Sequence, residues 1–192
     1  VVASTQGGGI ASYSNSTVTV SGAASIYTNT SSNTGGGIYM SGTLTLKTSS
    51  DLKVNSNTAT NHGGGVYLAS PGKFTMSAGN IKNNIATNGN GGGLFCNKSC
   101  SMSGGTIASN HAPGSSNGRG GGVYIASSGT FTLSGGQINS NCASSGGTGI
   151  YKTGDGTYTK SGSPSCTGNY QSGLTAACVW SNNTNGSNAC TT

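Results

Sequence analysis

Apolar residues recur in this chain as short alternating pairs separated by polar turns, and not as long runs. The first pair follows a glycine triplet, as in 66–68, and a second pair, as in 74–76, lies six to eight residues later. The third pattern is Ile or Val with Asn three residues on, as in Ile81 and Asn84. Alternation at every second residue predicts β-strands. Each unit is therefore expected to contain three short strands.

The glycine triplets fix the length of this unit. Copies begin at positions 7, 35, 63, 91 and 120, and a degenerate copy begins at 147, so the steps are 28, 28, 28, 29 and 27 residues. A fixed period of this length indicates one supersecondary unit stacked on itself. We predict an all-β fold, a right-handed parallel β-helix (solenoid) of about six rungs, with about 28 residues and three strands per rung. Stacking at about 4.8 Å gives a column roughly 30 Å tall.

Two apolar columns and one asparagine column are expected inside the solenoid. The inward apolar positions are Ile10, Ile38, Val66, Leu94, Val123 and Ile150, and Val18, Leu44, Phe74, Cys100, Phe131 and Tyr158. Asparagine side chains in stacked turns can bond to one another and to the backbone. We predict a structural ladder of this kind from Asn29, Asn57, Asn84, Asn110 and Asn141.

The repeat divides the chain into two parts. Lys152 and Lys160 stand where earlier rungs have Met, Leu or Ile, and an inward lysine cannot stay charged in a dry core. We expect residues 1–160 to form the β-helix and residues 161–192 to form a Cys-rich C-terminal cap or docking tail. Only six residues precede the first glycine triplet, so the first rung is expected to expose unpaired backbone groups that recruit another chain.

Composition and charge narrow the classes of function. Only 31% of the 192 residues are apolar and 36 are Gly, which suits the thin core of a solenoid. The net charge of +6 comes from scattered lysines and only two acids, without a nucleic-acid-binding signature. No apolar run approaches the length of a membrane span. We expect no nucleic-acid partner, no membrane span and no cofactor.

The six cysteines indicate an oxidising compartment, and we expect a secreted, extracellular or cell-surface protein. Cys96 and Cys100 flank one corner and are the best candidates for a local disulfide. The other cysteines would form two bridges in one of three connectivities; they are Cys142, Cys166, Cys178 and Cys190. Candidate glycosylation sites are Asn15, Asn97, Asn182 and Asn185. The sequon at Asn29 is expected to stay unmodified because this residue belongs to the ladder.

Two outward columns are candidate interaction surfaces. The first is an aromatic stripe of Tyr39, Tyr67, Phe95, Tyr124 and Tyr151. Such a stripe can bind sugars or a neighbouring filament, or it can stack on itself and stiffen the rungs. The second is a face of Thr-x-Thr or Ser-x-Ser pairs that resembles ice-binding surfaces, although threonine is also a common exposed strand residue and the face could carry O-glycans. The predicted pairs are Thr17/Thr19, Thr43/Thr45, Thr75/Ser77, Ser101/Ser103, Thr130/Thr132 and Thr157/Thr159.

Catalytic and metal sites are not expected. Paired-carboxylate hydrolysis needs two acids close together, whereas Asp51 and Asp155 lie about four rungs apart. His62 and His111 occupy turns of different repeats and lack the neighbours of a zinc site. We therefore expect no enzyme activity.

The pairing of a Gly-Gly-x-aliphatic motif with an x-x-Asn motif resembles the repeats of polymorphic outer-membrane proteins, which are secreted or surface-displayed β-helical passengers. The family motifs Gly-Gly-Ala-Ile and Phe-x-x-Asn stand here as Gly-Gly-Gly-Ile/Val/Leu and Ile/Val-x-x-Asn, over roughly residues 7–152. The chain differs in having Ile or Val in place of the motif Phe, and in its Cys-rich end. The resemblance implies surface adhesion or a structural role without a defined catalytic site.

Together these features predict a secreted structural or adhesive module that assembles end to end with copies of itself, as a filament or surface-layer subunit. A carbohydrate-binding adhesin that uses the aromatic stripe is one alternative, with glycans or cell surfaces as partners. An ice-binding protein that uses the Thr-x-Thr face is another.

Overall fold

A computed structural model describes residues 4–114 and 117–171, and in these ranges every regular element is a strand. The strands form four parallel sheets, and the chain visits the sheets in turn, once per coil, so that strand i pairs with strand i+4. Six coils follow the first strand. The chain is therefore a parallel β-solenoid with the predicted period of about 28 residues.

Each sheet is named here after its outward residues or its length. The aromatic sheet contains β2 (Ile10–Ser12), β6 (Ile38–Met40), β10 (Val66–Leu68), β14 (Leu94–Cys96), β18 (Val123–Ile125) and β22 (Ile150–Lys152). The threonine sheet contains β3 (Thr17–Ser21), β7 (Thr43–Lys47), β11 (Lys73–Met76), β15 (Ser99–Met102), β19 (Thr130–Leu133) and β23 (Thr157–Lys160). The lysine sheet contains β4 (Ser25–Tyr27), β8 (Lys53–Asn55), β12 (Asn80–Lys82), β16 (Thr106–Ala108), β20 (Gln137–Asn139) and β24 (Ser165–Thr167). The short sheet contains β1 (Ser4–Gln6), β5 (Thr30–Thr34), β9 (Thr58–Ala59), β13 (Ile85–Ala86), β17 (His111–Ala112), β21 (Cys142–Ala143) and β25 (Tyr170–Gln171).

The expectation of three strands per rung is wrong, because each coil has a fourth strand on the short sheet. From the second coil onwards this strand is only two residues long, too short to show alternation. Its signal is a small inward residue two positions after the ladder asparagine, as in Ala59 after Asn57 and Ala86 after Asn84. Both alanines are fully buried.

The core is a narrow column of stacked side chains. Val66 pairs with Ile38 on one side and Leu94 on the other, and all three are fully buried. The second predicted column is also inward, since Phe74 pairs with Leu44 and Cys100. Burial weakens at the two ends, where Ile10, Val18 and Tyr158 are only partly buried.

The asparagine ladder is present, and its inner members use both the oxygen and the nitrogen of the side-chain amide. Asn84 Nδ2 donates to Asn110 Oδ1 and to Val54 O, both at 2.9 Å, and Asn84 N donates to Asn110 Oδ1 at 3.0 Å. Asn84 Oδ1 in turn accepts two bonds from Asn57. A buried amide with all its groups bonded stabilises the stack, because its hydrogen bonds compensate for the cost of removing it from water. The same pattern runs through the ladder of Asn29, Asn57, Asn84, Asn110, Asn141 and Asn169.

The three glycines of each triplet are needed for different reasons, as the fourth coil shows. Gly91 has φ +68°, a backbone conformation that favours glycine. A Cβ on Gly92 would lie 2.5 Å from the carbonyl oxygen of His111. A Cβ on Gly93 would lie 2.9 Å from Asn110 Nδ2. The glycine motif and the x-x-Asn motif are therefore the two sides of one contact.

The solenoid continues beyond the expected boundary at residue 160. β24 pairs with β20, β25 pairs with β21, and Asn169 Oδ1 accepts from Asn141 N at 2.9 Å. Lys152 and Lys160 do not enter the core: Lys160 is exposed, and Lys152 Nζ donates to the carbonyl oxygen of Gly154 at 3.1 Å. The sixth coil is thus completed by residues that the sequence assigned to the tail. The rest of the predicted tail, residues 172–192, lies outside the described residues.

Candidate functional site

The aromatic stripe is in register and its rings stack on one another. Tyr39 and Tyr67 have centroids 5.6 Å apart at 6°, Tyr67 and Phe95 lie 4.9 Å apart at 17°, and Phe95 and Tyr124 lie 4.8 Å apart at 19°. Tyr151 continues the stack at 5.3 Å and 14°. Near-parallel rings at this distance are in favourable contact.

This stacking covers the ring faces that a sugar would need. Each of Tyr67, Phe95 and Tyr124 has a neighbouring ring on both faces, and Phe95 is only 8% exposed. Burial, and secondly the neighbouring Tyr39, raise the pKa of the Tyr67 hydroxyl. The stripe therefore presents ring edges and hydroxyls, and its middle rings serve the packing between coils.

Polar and cationic side chains flank the stripe. His62 lies 4.8 Å from Phe95, and its Nδ1 accepts from Asn90 N at 3.1 Å. Burial lowers the pKa of His62, so the neutral ring is favoured. At the last ring of the stripe, Arg119 donates to the Tyr151 hydroxyl at 2.8 Å and lies over that ring. His62 and Arg119 therefore pack against rings of the stripe.

The threonine sheet presents three outward columns of hydroxyl side chains. The first is Thr17, Thr43, Lys73, Ser99, Thr130 and Thr157, and the second is Thr19, Thr45, Thr75, Ser101, Thr132 and Thr159. Backbone bonds that continue the ladder give the third, Ser21, Lys47, Ser77, Ser103, Ser134 and Ser161. Sixteen of the eighteen positions carry Ser or Thr.

The observed register changes the expected Thr-x-Thr pairs. The sequence aligned Thr75 and Ser77 with Thr43 and Thr45, whereas Thr75 lies beside Thr45 and Lys73 lies beside Thr43. The turns before β3, β11, β19 and β23 have four residues, whereas those before β7 and β15 have two, and this variation conceals the register in the sequence. The second column is consequently unbroken over six coils.

The lysine sheet carries a polar cluster that the sequence analysis missed. Lys53, Asn55, Asn80, Lys82 and Asn83 line a shallow cavity of about 130 Å³. Lys53 pairs with Asn80 and Asn55 pairs with Lys82 on successive strands. Alternation could have predicted it, because both lysines are direct neighbours of inward Val54 and Ile81. The sequence did not reveal the two lysines as neighbours, because Lys53 comes one residue before Val54 whereas Lys82 comes one residue after Ile81, so they occupy different positions in the repeat.

The structure tests the predicted disulfide pairing for part of the cysteines. Cys96 and Cys100 form a disulfide bond across the turn between β14 and β15. Cys142 is buried in register with His111, and Cys166 is disulfide-bonded. The connectivity of the four remaining cysteines stays a prediction, since Cys178 and Cys190 lie outside the described residues.

The sequons differ in accessibility. Asn15 is exposed after β2, Asn97 is partly buried, and Asn29 is bonded into the ladder through Nδ2. Occupancy at Asn15 and Asn97 stays a prediction. Asn182 and Asn185 lie outside the described residues.

The remaining chemistry-bearing residues are dispersed. Asp51 lies between β7 and β8 and Asp155 between β22 and β23, four coils apart, which is about 19 Å along the axis. Burial lowers the pKa of His111. Within residues 4–114 and 117–171 no three His, Cys, Asp or Glu side chains come together as a metal site. That part of the chain also contains no helix that could cross a membrane.

The fold and its faces define a β-solenoid repeat protein with one stacked aromatic face, one hydroxyl face and one lysine–asparagine face. Searches of protein-family models, curated proteins and solved structures found no match to this chain.

Proposed function

We propose that this chain is a non-catalytic structural and adhesive module of an extracellular protein, and that it assembles by stacking coil on coil. The observation that carries this proposal is the apolar surface of the first coil. Ile10, Val18 and Ile26 are only partly buried, whereas the side chains at the same positions one coil later are fully buried. Those counterparts are Ile38, Leu44 and Val54. A further coil would remove this apolar surface from water.

The asparagine ladder favours a coil of the same kind as the partner. Every later ladder Oδ1 accepts bonds from the asparagine one coil before it, as Asn57 Oδ1 does from Asn29 N and Nδ2. Among the described residues, no group donates to Asn29 Oδ1. A stacked coil with an asparagine at this position would supply both donors. In the isolated chain, the partner we propose is a second copy.

An extracellular and non-catalytic role has separate support. The Cys96–Cys100 disulfide is typical of oxidising compartments, and Asn15 offers an exposed sequon. The resemblance of the repeat motifs to polymorphic outer-membrane proteins favours the same location. The separation of Asp51 and Asp155 favours a role without carboxylate-pair catalysis.

Sedimentation velocity over a concentration series tests the assembly. The wild-type chain should form larger species as concentration rises, and Val18→Lys should remain monomeric because a charge would be buried at the junction. Thr45→Lys is the matched control, since it adds the same charge on an outward face and should assemble like the wild type. A wild-type chain that stays monomeric, or Val18→Lys that assembles equally, would refute the proposal.

A second candidate, ice binding, is favoured by the threonine sheet alone. Its hydroxyls can each donate and accept and repeat at about 4.8 Å between coils. The face has no outward aromatic, amide or carboxylate group at these positions. With hydroxyl side chains at sixteen of its eighteen positions, this array suits ordered water better than a sugar.

Replacing one of the two lysines within the array tests this candidate. Lys73→Thr completes the first column and should increase thermal hysteresis, whereas Lys82→Thr, which removes the same charge from the lysine sheet, should not. Absence of hysteresis in the wild type and in Lys73→Thr would eliminate ice binding.

A further inference from the structure

The outward residues of the lysine sheet change from hydroxyl and aromatic to cationic and amide over its first three coils. The outward pairs are Ser25 and Tyr27, then Lys53 and Asn55, then Asn80 and Lys82. Asn55 therefore lies between the Tyr27 ring and Lys82, one coil from each. Two coil spacings, about 10 Å, separate the aromatic end of this row from its cationic end.

The two lysines are placed to share one anionic group. They stand on adjacent strands and in adjacent columns, on opposite corners of the cavity of about 130 Å³. Neither forms an ion pair within the described residues. Asp51, the acid nearest to them in sequence, precedes β8 in an exposed turn, and its backbone N–H donates to Ser49 Oγ at 3.0 Å. The cavity itself is lined only by lysine and asparagine.

The asparagines at the cavity are oriented by their neighbours. Asn55 Oδ1 accepts from Asn83 Nδ2 at 3.1 Å and from Ser56 Oγ at 3.2 Å, which leaves Asn55 Nδ2 to donate to a ligand. Asn80 Nδ2 donates to the backbone oxygen of Ser50. Ammonium groups are donors only, so the cavity is rich in donors and matches a ligand rich in acceptors.

Tyr27 has an accessible ring face, which the middle rings of the aromatic stripe lack. It is 61% exposed and makes no ring contact with another aromatic residue of the described chain. An exposed ring with an open face can pack against the apolar face of a sugar. The stripe rings cannot do so, because both faces of Tyr67, Phe95 and Tyr124 are covered.

From this arrangement we infer that the lysine sheet binds an acidic saccharide. The sugar ring lies against Tyr27, Asn55 donates to a ring hydroxyl, and the carboxylate or sulfate group lies between Lys53 and Lys82. The site rests on the adhesive role proposed above and names its ligand class. Lys53, Asn55 and Lys82 lie on a lateral face in the second and third coils, whereas Tyr27 belongs to the first coil, beside the proposed junction.

Binding to immobilised polysaccharides at about 0.15 M salt, where exposed charges more than about 8 Å apart are screened, tests the site. The probes are dextran sulfate, polygalacturonate and dextran, the last being the neutral counterpart of the first. We expect the wild type to bind at least one acidic polymer and not dextran. Preference for dextran sulfate assigns sulfate as the anion, and preference for polygalacturonate assigns carboxylate.

Variants locate the binding. The double variant Lys53→Gln/Lys82→Gln should lose about tenfold in affinity, and Tyr27→Ala should also bind more weakly. The matched controls Lys47→Gln/Lys73→Gln and Tyr13→Ala make the same changes on other faces and should bind like the wild type. Equal losses in the two lysine pairs would show a non-specific charge effect and overturn the site, as would absence of binding to both acidic polymers. A chain that assembles but binds neither polymer refutes this site and leaves the assembly proposal standing.

Discussion

The third glycine of each triplet and the ladder asparagine that faces it constrain each other. Gly93 and Asn110 show why: the asparagine amide occupies the space that a Cβ on the glycine would fill. A larger residue at the glycine would push the amide out of line and disturb bonds to two neighbouring coils. The two repeat motifs must therefore change together.

Gly93→Ala is expected to destabilise the chain by about 2–4 kcal/mol, the range for overpacking combined with a disturbed buried hydrogen-bond network. Its Cβ would meet both Asn110 Nδ2 at 2.9 Å and the backbone oxygen of Gly122 at 2.7 Å. Gly154→Ala is the control, because no atom lies within 4 Å of its Cβ position, and its effect should stay within about 0.5 kcal/mol. Urea unfolding measures both, and equal losses would contradict this interpretation of the triplet.

The ladder was predictable because asparagine at a fixed position in a repeat has few uses in a buried turn. Its last member, Asn169, was missed since the glycine motif had already degenerated at Thr148. The exposed Tyr27 was also missed, because it belongs to no aromatic column; the residues paired with it in the next coils are Asn55 and Lys82. A residue that belongs to no repeated column can be assigned a role only when the strand register shows which residues lie beside it.

At the level of elements, the aromatic sheet is held by its outward side as well as by the core. Its central position holds five stacked rings, from Tyr39 to Tyr151, while the flanking inward residues fill the core. The sequence could identify the stripe but not choose between binding and stacking. That choice depends on ring orientation, which rotamers and packing decide.

Tyr67→Ala should lower the free energy of unfolding by about 2–4 kcal/mol, because the ring loses two stacking contacts and partly buried surface. Tyr13→Ala should lower it by less than about 1 kcal/mol, since Tyr13 is 56% exposed and has one tilted contact. Denaturant midpoints of the two variants provide the comparison. Similar small losses for both would indicate that the stripe does not stiffen the coils.

The fourth strand shows a different limit of sequence reasoning. Period-two alternation needs at least three residues to be visible, and the pairs such as Thr58–Ala59 offer only two. Their strand conformation is imposed by the coils above and below, through backbone bonds such as Ile85 N to Asn57 O at 2.9 Å. Tertiary stacking, and not local preference, makes these residues strands.

For the whole molecule, the fold class, the period and the inward columns followed from repetition, because each coil tests the assignment made for the one before. The number of sheets and the end of the repeat did not. At Lys152 and Lys160 the apolar pattern stops, yet the backbone completes another half coil through β24 and β25. The end of a hydrophobic pattern and the end of a solenoid are therefore separate events.

Coils stack along one axis within the chain, and the central proposal is that copies stack along the same axis. Fibre diffraction from concentrated wild-type protein, with electron micrographs of the same sample, tests it most directly. We expect thin unbranched fibres and a reflection at about 4.8 Å along the fibre axis, the spacing between coils. Dispersed particles at high concentration, or fibres whose 4.8 Å spacing runs across the axis, would contradict the account.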